Sequence, residues 1–316
     1  MQAYLLRRGI QAIPTLLLVT MVTFSISMLL PGDPALAWLG EAQAMDRVAY
    51  DAIRRELALD QPIPVQYGLW LGRTVQGDLG RSIRNRELVW DGLAARLPVT
   101  LQLTLLGMVV AFVIAMPIGI LSAIRPDSRL DTFGTILAVS GLAIPSFWLG
   151  VLLIYLFALY LGWLPASGYA PLSAGLTQNL TYLALPALVL GFEQAAAIMR
   201  QVRSALIEVL HQEYITTAWS KGLGERLVIS RHALRNALIP VVTILGLQVG
   251  RLIGGTVVVE TIFALPGLGR LAADSIFFRD FPSLQGVILV LALAVFMANL
   301  LTDAVYSVID PRIRYS

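Results

Sequence analysis

The chain of 316 residues contains no cysteine. Disulfides, thiolate metal sites and cysteine nucleophiles are therefore excluded, and the redox compartment is left undetermined. Histidine is scarce too. Only His211 and His232 occur, and no His-rich metal motif can be built from two residues. Charge is thin, at 14% of residues, against about a quarter in a soluble domain. The net charge is +3 and the basic residues form no long run, so nothing points to nucleic acid. No P-loop string (G-x-x-x-x-G-K followed by Ser or Thr) occurs, which excludes that nucleotide site. H-E-x-x-H and G-x-S-x-G are absent as well, and no paired-aspartate or metal constellation supports an intramembrane enzyme. There is no internal repeat and no low-complexity tract.

What the chain has is apolar surface. Hydrophobic residues make up 57%, a composition that points to an integral membrane protein, and its helix-length apolar runs put it in the all-α class. Six apolar runs, roughly 10–30, 100–124, 132–161, 180–199, 238–259 and 284–309, are each about 20 residues or longer, enough to cross about 30 Å of hydrocarbon. The first run follows Arg7 and Arg8 and precedes Ala35–Ala37, so a cleaved signal peptide is an alternative. Its length of about 21 residues favours a retained helix. The third run carries Gly141 and Pro145 and is expected to kink, because proline removes a helical hydrogen bond.

Short loops set the orientation. With a cytoplasmic N-terminus, Arg7, Arg8, Arg125, Arg129, the basic residues from Arg200 to Arg235, Arg312 and Arg314 all lie inside. The short external loops hold Arg270 and Arg279. This positive-inside asymmetry places both termini in the cytoplasm. Two large polar regions remain: an external insert over about 31–97 and a cytoplasmic loop over about 200–236.

The fifth run reads "LIPVVTILGLQVGRLIGGTVVVE". Gly246, Gly250 and Gly254 recur every four residues, a small-residue face that lets helices approach closely in lipid. Gln248 lies nearly opposite that stripe, with Arg251 between the two and nearer Gln248. An arginine inside a membrane faces protein or a water-filled cavity. Arg251 thus either lines a path for a polar, carboxylate-bearing solute or pairs with Glu193 or Asp303. Glu193 and Gln194 carry the same two readings.

The cytoplasmic stretch "EYITTAWSKGLGERL" reads as a short amphipathic helix. Tyr214, Ile215, Ala218, Trp219 and Gly222 share one side of the wheel. Glu213, Thr216, Thr217, Ser220 and Lys221 share the other. "GLG" is expected to end it. An interfacial lipid helix carries a richer Lys/Arg face. A small face with aromatics suits docking into a protein groove.

Ordered motifs run the length of the chain. "LLPGDPA" follows the first apolar run, "LALDQPIPVQYGLWL" and "GDLGRSI" sit in the insert, and "LPVTLQLTL" opens the second run. "IPSFWLGVLLI" and "LGWLP" mark the third, and "EYITTAWSKGLGERLVISRHALRNALIPVVTILGLQVG" joins the fourth and fifth. "VVVETIFALPGLGRL", "RDFPSLQG" and "DPRIRY" follow. These motifs resemble the permease subunit of binding-protein-dependent ABC importers, in the dipeptide, oligopeptide and nickel branch.

The resemblance implies a type I ABC importer transmembrane domain, MetI-like, with six transmembrane helices and an external insert after the first. Residues 1–96 would form the first helix and insert, and residues 97–316 the permease domain. It implies a multi-pass bacterial inner-membrane subunit, non-catalytic and without a cofactor of its own. Its partners would be a second homologous permease, two ATPase subunits that hold ATP and Mg, an extracytoplasmic solute-binding protein and membrane lipid, with no nucleic acid. The family's E-A-A-x-x-x-G pattern falls on Thr216, Thr217, Ala218 and Gly222, with threonine replacing both the glutamate and the first alanine. The ATPase contact would then comprise Tyr214, Thr216, Thr217, Ala218, Lys221 and Gly222. Arg251, Gln248, Glu193 and Gln194 would line the path, and Gly246, Gly250 and Gly254 would pack helices. A stand-alone ion-coupled transporter is the main alternative, but only Glu193 and Asp303 would serve as relay carboxylates.

Overall fold

The computed structural model describes residues 2–29, 33–39 and 46–309; the side chains of 2–12 and 303–309, Arg7, Arg8 and Asp303 among them, and of several single positions lie outside the description, as do Arg312 and Arg314. No strand occurs among the described residues, whose one isolated antiparallel bridge joins Arg81 and Leu88. Helix α1 spans Gln2–Leu29, α2 Pro34–Leu39, α3 Arg47–Glu56, α4 Ile63–Val75 and α5 Val89–Ile124. Helix α6 spans Arg129–Ala143 and α7 Ser146–Leu153, which continues as a wider π-helical turn to Tyr160. Then come α8 (Leu176–Leu210), α9 (Glu213–Ser220), the short α10 (Glu225–Leu227), α11 (Leu234–Ile262), α12 (Leu268–Phe277) and α13 (Phe281–Ile309).

The chain divides into two units. One comprises Met1–Val99 with Pro266–Phe296, the other Thr100–Leu265 with Met297–Ser316. In the first, Phe24 of α1 meets Tyr67 and Trp70 of α4 with ring centroids 5.6 Å apart in both pairs. Thr20 and Tyr67 share a hydroxyl hydrogen bond of 2.8 Å. Helix α3 starts where the Asp46 carboxylate accepts from the amides of Val48 and Ala49, satisfying two otherwise orphaned donors. Val89, Leu93, Leu268 and Val287 form a buried cluster in the same unit.

In the second unit α8 is the central element. Helices α11 and α6 make their most extensive contacts with it. Gly191 on α8 lets α5 approach so closely that a Cβ there would lie 2.6 Å from Val110. Outward faces are strongly apolar. Leu105, Val113, Phe133, Ile136 and Val139 are each more than half exposed, a surface suited to lipid rather than water.

Among the described residues, four helices are long and apolar enough to cross a membrane, or five when the bent pair α6–α7 counts as one. The expected first span falls in α1, where Ile13–Ile26 forms a shorter apolar run. The third is not a kinked helix but a break: α6 and the helix from Ser146 to Tyr160 meet at 105°. Ile144 precedes Pro145 and is extended, with φ −80° and ψ 118°. The proline ring disfavours helix at the residue before it. The fourth span runs well past the expected 180–199, because α8 continues to Leu210. The polar region expected from residue 200 therefore begins as helix.

Candidate functional site

Helices α8 and α11 line an open polar cavity of about 430 Å³. Helix α8 contributes Ala197, Arg200, Gln201 and Ser204, and α11 contributes Ile244, Gln248 and Arg251. Each set repeats at three or four residues, so each occupies one helical face. Two guanidinium groups, two amides and a hydroxyl thus line one space, and no carboxylate among the described residues lines it. Such a donor-rich wall suits a carboxylate or carbonyl-bearing solute.

Gln248 is 4% exposed, and its Oε1 has no hydrogen-bond partner among the described residues. A buried acceptor left unsatisfied costs about 1–3 kcal/mol, so this amide gains by meeting water or a passing solute. Arg251 is exposed toward the cavity, and no ion pair joins it to Glu193 among the described residues. The Asp303 side chain lies outside the described residues. Glu193 is exposed and Gln194 buried, and neither lines the cavity.

Of the residues singled out for a path, Gln248 and Arg251 are therefore brought together, while Glu193 and Gln194 sit elsewhere on α8. Arg200, Gln201 and Ser204 were missed because they read as loop. Their spacing after Ala197 continues the helical period of α8 and is the signal that would have found them. The glycines divide as well. A Cβ on Gly246 would lie 2.0 Å from Thr302 Cγ2 of α13, whereas Gly254 has nothing within 4 Å. Gly250, half-buried, lies one turn from each.

Helix α9 forms where its sequence places it. It ends in a Schellman motif: the Leu223 amide donates to the Ala218 carbonyl at 3.4 Å, and the Gly222 amide to the Trp219 carbonyl at 2.9 Å. Gly222 takes φ +77°, a conformation that glycine adopts without strain. Ile215 and Ala218 point inward and share a buried cluster with Ala205 and Leu206 of α8 and Val228, Ala233 and Ala237 beyond. Thr216, Thr217, Lys221 and Gly222 face solvent, with Tyr214 and Trp219 about two-fifths exposed. The Tyr214 hydroxyl accepts from Asn236 Nδ2 at 2.7 Å. So the apolar side of the wheel is used within the chain, and the outward surface is the threonine side flanked by two aromatics.

Two polar pairs, one part-buried and one buried, join positions far apart in the sequence. Arg203 donates through Nε and Nη2 to both oxygens of Asp131, at 2.6 and 2.7 Å. Glu260 is fully buried in α11 and accepts from the Thr100 hydroxyl at 2.7 Å.

Long apolar helices that line an open, guanidinium-bearing polar cavity are consistent with an integral-membrane permease. The chain belongs to the family described as "Binding-protein-dependent transport system inner membrane component", which matches residues 115–315. The family's N-terminal companion, "Binding-prot-dependent transport system membrane comp, N-term", matches residues 1–104. The chain is 42% identical over 319 residues to the oligopeptide transport system permease protein AppB of Bacillus subtilis (strain 168), covering 100% of both chains. It is 42% identical over 312 residues to the glutathione transport system permease protein GsiC of Pectobacterium atrosepticum, covering 99% of each. A solved structure of the MetNI methionine ABC transporter in inward-facing form shares the fold. Its TM-score is 0.57 at 19% identity, over 69% of this chain and 96% of that one.

Proposed function

We propose that this chain is one of two homologous permease subunits of an ATP-driven importer for small peptides. The α8–α11 cavity is its wall of the translocation path, and this cavity is the observation that carries the reading. Arg200 and Arg251 offer donors to a peptide carboxylate, and Gln201 and Gln248 offer amides to its backbone. The oligopeptide and glutathione permeases are each 42% identical to this chain, which supports peptides as the solute.

Catalysis is not asked of this chain. Two ATPase subunits hold ATP and Mg beneath the membrane, and an extracytoplasmic binding protein delivers the solute. Both termini lie in the cytoplasm. Helix α9 presents Thr216, Thr217, Lys221 and Gly222 to an ATPase cleft. Its seat on Ala205 and Leu206 lies next to Ser204 and Gln201 on α8, so motion of α9 passes to a cavity-lining helix. Closure of the ATPase pair then shifts the balance between two arrangements of the path.

Peptide uptake by the reconstituted importer tests this directly. Arg251→Ala lowers uptake while the complex still assembles. Equal loss of uptake and assembly overturns the path assignment and leaves Arg251 a structural residue.

A further inference from the structure

A second polar cavity, of about 360 Å³, lies where the 82–96 segment meets α12 and the start of α13, all within the first unit. The translocation reading does not use it. Its wall is held in place by Asp280, which is 4% exposed. The Asp280 carboxylate accepts from the Ser82 hydroxyl at 2.5 Å, the Ile83 amide at 3.0 Å and the Ser283 hydroxyl at 2.8 Å. These bonds saturate Asp280 and fix the segment across 198 positions of sequence.

Other groups on the wall are not saturated. Ser275 is 2% exposed, and its hydroxyl has no partner among the described residues, an arrangement that is unfavourable until something bonds it. No side chain among the described residues pairs with the Asp274 carboxylate. The Arg84 guanidinium stacks 3.8 Å over the Phe278 ring, which fixes its plane and leaves its edge donors available. Arg96 gives one hydrogen bond of 3.0 Å to the Gly92 carbonyl and has further donors to offer.

An inorganic anion here would meet Asp274 and Glu87, whose carboxylate accepts from Asn85 Nδ2 at 2.6 Å, and a bare cation would meet two arginines. A molecule with an ammonium at one end and a carboxylate at the other satisfies both. The volume suits a short peptide, with Leu88, Val89 and Leu271 as apolar wall. We propose that this cavity is a second solute site for a small zwitterionic peptide, with the ammonium on Asp274 and the carboxylate on Arg84 and Arg96. The site rests on its own side chains and not on the cavity between α8 and α11.

The test is photolabelling of the assembled importer in lipid nanodiscs with a dipeptide of alanine and a diazirine-bearing leucine. Label is expected between Leu271 and Ser283. Blocking the probe's amine by acetylation, or its carboxylate by amidation, lowers labelling about tenfold or more with the protein unchanged. Asp274→Asn lowers labelling by the unblocked probe similarly. Absence of label from this stretch, or label indifferent to both blocked probes, overturns the proposal. So does finding that Asp274→Asn weakens only docking of the binding protein. Peptide uptake is measured in parallel: lost uptake with intact, probe-sensitive labelling sinks the import reading and leaves this site standing.

Discussion

Arg203 of α8 grips Asp131 of α6 through two parallel hydrogen bonds of 2.6 and 2.7 Å. Ser128 caps α6 by accepting from the Asp131 amide, and the Asp131 carboxylate also accepts from the Asp127 amide. One carboxylate thus fixes the start of α6 and ties it to the stretch of α8 that carries Gln201 and Ser204. Asp131→Asn is expected to destabilise the chain by about 1–2 kcal/mol. That is less than for a fully buried pair, because Arg203 leaves 34% of its side chain in solvent. Arg203→Lys keeps the charge but loses the planar fork, and recovers only part of the stability. Thermal unfolding of both variants and the double variant in detergent checks this. Full additivity of the two losses would show that the pair is not coupled.

The contact of Gly246 with Thr302 leaves no room for a methyl group. Gly246→Ala is expected to cost about 1–3 kcal/mol through overpacking. Gly254→Ala, with open space around it, leaves the stability of the isolated chain unchanged. Comparing melting temperatures of the two variants decides whether the glycines act as one stripe or, as the structure has it, as separate positions.

Helix α9 gives a sharper pair. Thr217 is exposed and Ala218 is 6% exposed against Leu206 and Ile215. Thr217→Arg should reduce uptake about tenfold or more, with folding and membrane level intact. Ala218→Arg should damage the fold itself, since the arginine would be buried without a partner. Undiminished peptide-stimulated ATP hydrolysis in a Thr217→Arg complex would sink the coupling role of α9.

Helix α9 was legible because everything that makes it is local. The period of "EYITTAWS" and the glycine at 222 lie within one short window, and helix ends are decided by such neighbours. The glycine spacing and the Gln248–Arg251 face were legible for the same reason. The pairs were not. Asp131 meets Arg203 over 72 positions and Thr100 meets Glu260 over 160, and no period links them. A helical wheel shows which residues share a face but not what that face meets. Glu193 shares the helical face of Ala197, Arg200 and Ser204 but lies one turn before them, so the wheel alone does not show that the cavity begins at Ala197. Pro145 announced a bend, but its size of 105° depends on packing. Arg200, Gln201 and Ser204 were hidden by their polarity, which reads as loop when a membrane helix is assumed to end where charge begins.

The natural absence of cysteine permits the most direct test. Single cysteines at Ser204 and Gln248 line the α8–α11 cavity, and one at Val139 lies on an exposed apolar face. The importer carrying each is treated with a charged, membrane-impermeant thiol reagent, with and without peptide cargo, and uptake is then measured. Positions 204 and 248 are predicted to react, to be shielded by cargo, and to lose uptake on modification, while position 139 stays unlabelled. Cysteines at 204 and 248 that do not react, or that react with uptake unchanged, would contradict the cavity as the path.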